Sequence, residues 1–163
     1  MTAPEIDKFE VPDRDSTDRF LLKCLMQHST DNVYFKDRQH RFLRISDALA
    51  RWFGVESAEE AAGCTDWDFF SEEHARQAWI DEEQIMRTAV PIVGKTEKET
   101  WPDGRVTWVS TSKIPMLDED NKVIGIFGMS RDVTAIKIAE DRLEAYAREI
   151  EEKNEKMQAE FRL

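Results

Sequence analysis

The residue types able to do chemistry in this chain are few and far apart. His28, His40 and His74 fall on a helix face, in a turn and at a helix start. They form no HExxH pair and no Cys/His spacing of the kind that closes a zinc site. Cys24 and Cys64 lie outside any CxxC pattern and read as reduced, packed thiols. Asp118-Glu119-Asp120-Asn121 begins like a calcium loop, but Lys122 and Val123 stand where a ligand and a glycine would continue it, so it reads as a solvated hairpin turn. No GxxxxGK[ST], GxGxxG or GxSxG run is present to cradle phosphate or present a nucleophile. An enzyme of this size would need an Asp–His or Tyr–Asp pair with shifted pKa values in a pocket, and the sequence offers no convincing one. The reading is a chain without catalytic residues and without a metal site.

Composition narrows the partners. A chain of 163 residues suits one buried core with appendages. The 34 acidic against 23 basic residues give a net charge of -11, which repels nucleic acid phosphates and anionic membrane surfaces. Every apolar stretch is broken by charge well before the ~20 residues a membrane helix requires. The N-terminus MTAPEIDKFE has neither the basic nor the apolar region of a signal peptide. These features predict a cytoplasmic chain with no nucleic acid partner and no direct membrane contact.

The elements follow from period and punctuation. Residues 1–14 read as a flexible lead-in. Ser16 or Thr17 then caps a helix carrying Phe20, Leu21, Cys24, Leu25 and His28 on one side. The runs 32–36 and 41–45 are rich in β-formers around the polar turn 37–40. A short helix over 47–53 is stopped by Gly54, and one further turn follows at 59–62. Ser71 caps a longer helix whose stripe is Ala75, Ala78, Trp79, Ile85, Met86 and Ala89. After Pro91 the period becomes two: 92–101, 105–116 and 122–133 are strands, the first two joined by an Asp-Gly turn. Strands so closely spaced leave no room for βαβ crossovers. The predicted architecture is α+β, a five-stranded antiparallel sheet with helices on one face.

This order, with particular residues, resembles the PAS family of intracellular sensor domains. The resemblance rests on YFKDRQHRFLRIS at 34–46, Trp52-Phe53-Gly54, GCTDWDFF at 63–70, DGRVTWV at 103–109 and above all VIGIFGMSRDVT at 123–134. It implies a sensor domain over 15–134 and an Asp132-Val133-Thr134 junction that passes the signal into an outgoing helix, 135–163. Thr134 reads as the cap of that helix. The chain departs from the family in having His40 where a glycine is common in the first hairpin, and Ser46 or Asp47 where an asparagine is common.

The resemblance also tests cofactors. Flavin-binding members place a reactive cysteine three residues after the glycine matched by Gly63, where this chain has Asp66; Cys64 is out of register. Haem-binding members use a histidine well inside the long helix, whereas His74 falls in the first turn and reads as solvent-facing. No flavin or haem is expected. The expected pocket comprises Trp52, Phe53, Trp79, Trp108, Ser110, Ser112 and Phe127, with Trp108 and Phe127 packed into the core. Two readings stay open for it: a filled core with paired hydroxyls, or a site for a small organic ligand.

The outgoing helix repeats Ile136, Leu143, Ile150 and Met157 every seven residues, one clear seam of a coiled coil, while the second seam is imperfect. A homodimer through this helix is expected, against the alternative of a helix folded back on its own domain. The helix ends without a Gly or Pro stop, as though it continued. This ending resembles the linker before sporulation-type protein phosphatases and, less closely, that before sensor histidine kinases. The functional expectation is a sensory domain that dimerises and relays a signal to a downstream effector domain. The alternatives are a small enzyme of cystatin-like fold and a pure dimerisation scaffold.

Overall fold

The computed structural model describes residues 13–161; residues 1–12 of the expected lead-in lie outside them. The chain runs α1 (Arg14–His28), β1 (Asn32–Asp37), β2 (Phe42–Ile45), α2 (Asp47–Phe53), two 3-10 turns (Ala58–Ala61 and Asp66–Asp68), α3 (Glu72–Thr88), β3 (Ile92–Thr100), β4 (Val106–Leu117), β5 (Val123–Asp132) and α4 (Thr134–Glu160). The strands form one antiparallel sheet in the order β2-β1-β5-β4-β3. The α+β architecture is the one the strand spacing predicts.

Local chemistry accounts for most boundaries. Ser46 and Ser71 accept the backbone N–H groups of Leu49 and His74 and so start α2 and α3. Gly54 ends α2 at φ 77°, a left-handed conformation in which a side chain would be strained. α1 begins earlier than expected. Its cap is Asp13, whose carboxylate accepts from the Ser16 N–H, so Ser16 lies inside the helix. Asp118 accepts the N–H groups of Asp120 and Lys122 and closes the β4–β5 turn around Asn121 at φ 60°.

The core lies between the sheet and the layer made by α2, the 3-10 turns and α3. Tyr34, Phe42, Ile45, Leu49, Ala50 and Ala61 are its buried centre. Phe53 stacks on Phe69 at 4.0 Å between ring centroids, and Phe42 meets Phe53 edge-on at 5.6 Å. A fully buried aromatic such as Phe42 contributes roughly 1.5–3 kcal/mol by leaving water. α4 is the opposite case: a 27-residue helix with no buried residue, attached to the sheet at its first turn and otherwise solvated.

Candidate functional site

Inward-facing positions of the sheet hold charges where apolar residues would be ordinary. On β1 the period of two turns Asn32, Tyr34 and Lys36 to the helical layer. Lys36 is 1% exposed and pairs with Asp66 of the second 3-10 turn and with Glu82 of α3, the latter at 2.7 Å. Glu82 is fully buried because it shares the inward stripe of α3 with Ala75, Ala78 and Ile85. Its other carboxylate oxygen meets His40 Nδ1 at 2.8 Å, while His40 Nε2 meets Glu83 at 2.8 Å. His40 sits in the β1–β2 turn at φ 62°, the conformation for which glycine is the usual residue. The departure from the family pattern thus places an imidazole across two carboxylates of α3.

The charges set one another's protonation. Burial alone would push the Glu82 carboxyl up, but Lys36, His40 and Lys113 outweigh it and hold it at about 2. Desolvation would lower His40, yet its hydrogen bonds to Glu82 and Glu83 raise it above the ordinary 6.5. Burial, reinforced by Glu82 and Asp66, lifts Tyr34 well above the usual phenol range.

Beside the cluster is a small internal cavity of ≈ 30 Å³. Phe42, Phe53 and Phe70 supply apolar walls, and Asn32, Tyr34 and Lys113 add buried polar groups. Glu99 also reaches it, its carboxylate accepting from Trp52 Nε1 at 3.0 Å and from the Thr107 hydroxyl at 2.7 Å. Burial raises the Glu99 carboxyl. The space suits about one or two waters, so most of this core is filled.

The expected pocket residues do not converge there. Phe53 lines the cavity, and Trp52 touches it through Glu99. Trp108, Ser110, Ser112 and Phe127 lie on the outer face of the sheet, which corrects the predicted register. On β4 the buried positions are Val109, Thr111 and Lys113; on β5 they are Gly125, Ile126, Gly128 and Ser130. Thr111 and Ser130 bond each other at 2.9 Å on the inside, while Phe127 packs against Phe35 on the outside at 5.2 Å. The error has a physical source: a tryptophan at 108 reads as inward and a lysine at 113 as outward, and a one-residue slip turns over the whole strand. Trp79 is also corrected. It is 41% exposed, and Asp81 and Glu82 take the inward positions of α3. His74 is not solvent-facing: it is half-buried, its ring 4.4 Å from Phe70 and its Nδ1 3.3 Å from the Lys98 carbonyl, and desolvation lowers its pKa. The cluster of Lys36, Asp66, Glu82 and Lys113 was missed. Its signals were present, since Lys36 follows Tyr34 at strand period and Glu82 follows Ala75 and Ala78 at helical spacing.

Comparison with known proteins decides the family. The family model described as PAS fold matches residues 26–137. The chain belongs to the PAS family. It is 27% identical over 118 residues to the methanogenesis regulatory histidine kinase FilI of Methanothrix harundinacea, covering 72% of this chain and 13% of FilI. It is 27% identical over 131 residues to the aerobic respiration control sensor protein ArcB of Escherichia coli, covering 78% of this chain and 16% of ArcB. The chain therefore spans less than a fifth of either of these two relatives. Among solved structures, the Vibrio cholerae VqmA–ligand–DNA complex superposes with a TM-score of 0.61 at 20% identity, over 71% of this chain and 51% of VqmA. An RNA-binding Light-Oxygen-Voltage receptor gives 0.66 at 18% identity, over 91% and 41%. At these identities both establish shared fold. One of these two structures is a complex with DNA and the other is named RNA-binding, so the expectation of no nucleic acid partner rests on the charge of -11 alone and the comparisons do not support it. No described helix is long and apolar enough to cross a membrane, and no group of metal-ligating side chains occurs among the described residues.

The PAS junction is built differently from the expected cap. Thr134 is the first residue of α4, and its hydroxyl accepts the Trp108 N–H of β4 at 2.9 Å. The Thr134 N–H donates to the Asp132 carboxylate at 2.9 Å, and the Val133 N–H donates to the Trp108 carbonyl at 2.8 Å. Lys137 Nζ lies 5.6 Å from the Trp108 ring centroid. Asp132, Val133 and Thr134 thus fasten the start of α4 to β4, and Trp108 belongs to this joint.

The PAS core should titrate through His40. Its folded pKa is raised, so its stabilisation is complete below 6.5 and lost as pH rises through the higher folded value. The stability advantage of wild type over His40→Asn, which tolerates the left-handed turn, is expected to shrink as urea unfolding is repeated from pH 6 upward. An advantage that does not change with pH would contradict a charged His40 clamp.

Proposed function

We propose that this PAS domain is a sensory input module of a larger signalling protein: it carries no reaction of its own, pairs with a second copy through α4 and passes its state along that helix to an effector. One observation carries the reading. α4 runs for 27 residues with none buried, and Ile136, Leu143, Ile150 and Met157 on it are 59%, 69%, 58% and 49% exposed. A solvated helix with an apolar column at seven-residue spacing is stable when a partner helix covers that column. The fastening of its first turn to β4 supports coupling, because a shift of the strand must tilt the helix. FilI and ArcB, named as a histidine kinase and a sensor protein, support a kinase-type effector ahead of a phosphatase.

The input is read as a small organic ligand rather than a flavin or haem. Asp66, at the position where a flavin thiol is expected, is committed to Lys36. Cys64 Sγ instead lies 3.5 Å from the Glu60 carbonyl. His74 holds the Lys98 carbonyl with one ring nitrogen. The test is sedimentation of wild type against Leu143→Asp plus Ile150→Asp at tens of micromolar. Wild type is expected as a dimer and the variant as a monomer; two monomers, or two equal dimers, would remove α4 as the coupling element.

A further inference from the structure

His40 sets both ring nitrogens against groups that only accept. Nδ1 lies 2.8 Å from a Glu82 oxygen, and Nε2 lies 2.8 Å from a Glu83 oxygen. An ionised carboxylate has no proton to give and a neutral imidazole has one N–H, so the two contacts together require the doubly protonated ring. The side chain is 8% exposed and packs beside Trp79, 5.8 Å between ring centroids. The charges around it close a set. α3 presents Glu82 and Glu83; β1 and β4 present Lys36 and Lys113, which reach Glu82 at 2.7 and 3.8 Å; the second 3-10 turn presents Asp66, held by Lys36. Asp37, in the β1–β2 turn itself, is taken up by Arg41. Three cations thus meet three carboxylates while His40 is charged, and loss of its proton leaves one negative charge in excess. The two partners of the ring differ in freedom. Glu82 has no exposed surface and two lysines hold it, whereas the Glu83 side chain is 48% exposed and can turn to solvent.

We propose that His40 is a proton-operated latch between the β1–β2 turn and α3: the imidazolium ties both carboxylates, and loss of the Nε2 proton to water releases Glu83 and the last turn of α3 while Nδ1–H stays on Glu82. The neutral ring keeps the N–H that faces the buried acceptor. Its Nε2 lone pair then stands against a Glu83 oxygen, the two repel, and the exposed carboxylate is the one that moves. The turn does not unfold with the release, because the Asp37 carboxylate accepts the N–H groups of Gln39 and Arg41 and the Asp37 N–H donates to the Arg41 carbonyl. Desolvation lowers the pKa of the ring, but the hydrogen bonds to Glu82 and Glu83 outweigh it and place the release above pH 6.5. Glu82 joins the latch to Lys113 of β4, the strand whose Trp108 N–H is held by Thr134 of α4. The domain gains an input that needs no ligand in its core, which goes beyond the reading above.

The test is an NMR titration of the isotope-labelled whole chain from about pH 5.5 to 9, following the histidine ring nitrogens. The His40→Asn spectrum, which lacks one ring, assigns the signal. His40 is expected to carry both protons at the acid end, to titrate with a midpoint above 6.5, and to keep its remaining proton on Nδ1. Amide exchange, corrected for its intrinsic pH dependence, should show protection of Met86, Arg87 and Thr88 falling roughly 3-fold or more across that midpoint. The Lys113 and Trp108 amide resonances should move with the same midpoint. Glu83→Gln separates the latch from general charge loss, since its amide accepts from the imidazolium and donates to the neutral ring. In that variant the midpoint should fall and the α3 protection should no longer change with pH. A midpoint at or below 6.5, a neutral ring protonated on Nε2, α3 protection that is the same at both ends in wild type, unmoved Lys113 and Trp108 amides, or a wild-type response in Glu83→Gln would each overturn the latch. These readouts do not depend on pairing through α4, so the latch and the dimer fail separately.

Discussion

Glu82→Gln is expected to cost about 3–5 kcal/mol, the range for removing one partner of a buried ion pair. Glu82 has no exposed surface and is approached by Lys36 at 2.7 Å, His40 at 2.8 Å and Lys113 at 3.8 Å. The amide keeps the shape but removes the charge, leaving Lys36 with Asp66 alone, His40 with Glu83 and Lys113 with no anion within 4 Å among the described residues. Urea unfolding at pH 7 measures the loss. Because the interior charges act as a set, Lys36→Met combined with Glu82→Leu should cost less than the two single changes added together, by about 1–3 kcal/mol of coupling. Additive losses, or a Glu82→Gln cost below about 1 kcal/mol, would mean that solvent already reaches the cluster. The pH dependence has the opposite sign to that of His40. Glu82 is depressed from 4.5 to about 2, so its contribution is present above 4.5 and lost as pH falls toward 2.

The second large effect lies on the sheet. Gly128→Ala places a methyl group 2.0 Å from Tyr34 Cζ and 2.4 Å from its hydroxyl oxygen. Tyr34 and Gly128 are register partners, and the tyrosine ring occupies the space that a side chain at 128 would need. Tyr34 is buried and packs edge-on against Phe42, which limits its retreat. The expected cost is at the top of the ~1–3 kcal/mol range for overpacking. The clash predicts a specific rescue: in a Tyr34→Ala background, Gly128→Ala should cost under about 0.5 kcal/mol by the same denaturant measurement. A penalty that persists without the ring would place its origin in the strand backbone instead.

Both sites show how a charge or a glycine becomes informative only with its partner in view. Lys36 and Lys113 are two of 23 basic residues, and nothing in composition separates them from lysines in solvent. The strand period of β1 sets Lys36 on the same face as Tyr34. What made that face tolerable to an ammonium is Asp66, 30 residues away, and Glu82, 46 residues away. His40 tells the same story. Its departure from glycine was visible in the sequence, but its use as a bridge to Glu82 and Glu83 depends on α3 crossing the first hairpin at 2.8 Å.

The sequence by itself determined the elements, their order and the family, because helix caps at Ser46 and Ser71, the stop at Gly54 and the turns at Asp103-Gly104 and Asp118–Asn121 are local devices whose meaning does not depend on distant residues. It also marked α4, since a seven-residue apolar period is written entirely within one segment. Tertiary structure alone decided which face of β4 is inside. Trp108, Ser110 and Ser112 alternate with Val109, Thr111 and Lys113, and both sets mix apolar with polar groups, so period without context cannot choose between them. The choice fell to pairing at a distance: Lys113 gains the neighbourhood of Glu82, Thr111 bonds Ser130, and Trp108 is held outside by Thr134 and Lys137 of the outgoing helix. Long-range ion pairs and hydrogen bonds set a register that the pattern within β4 leaves open.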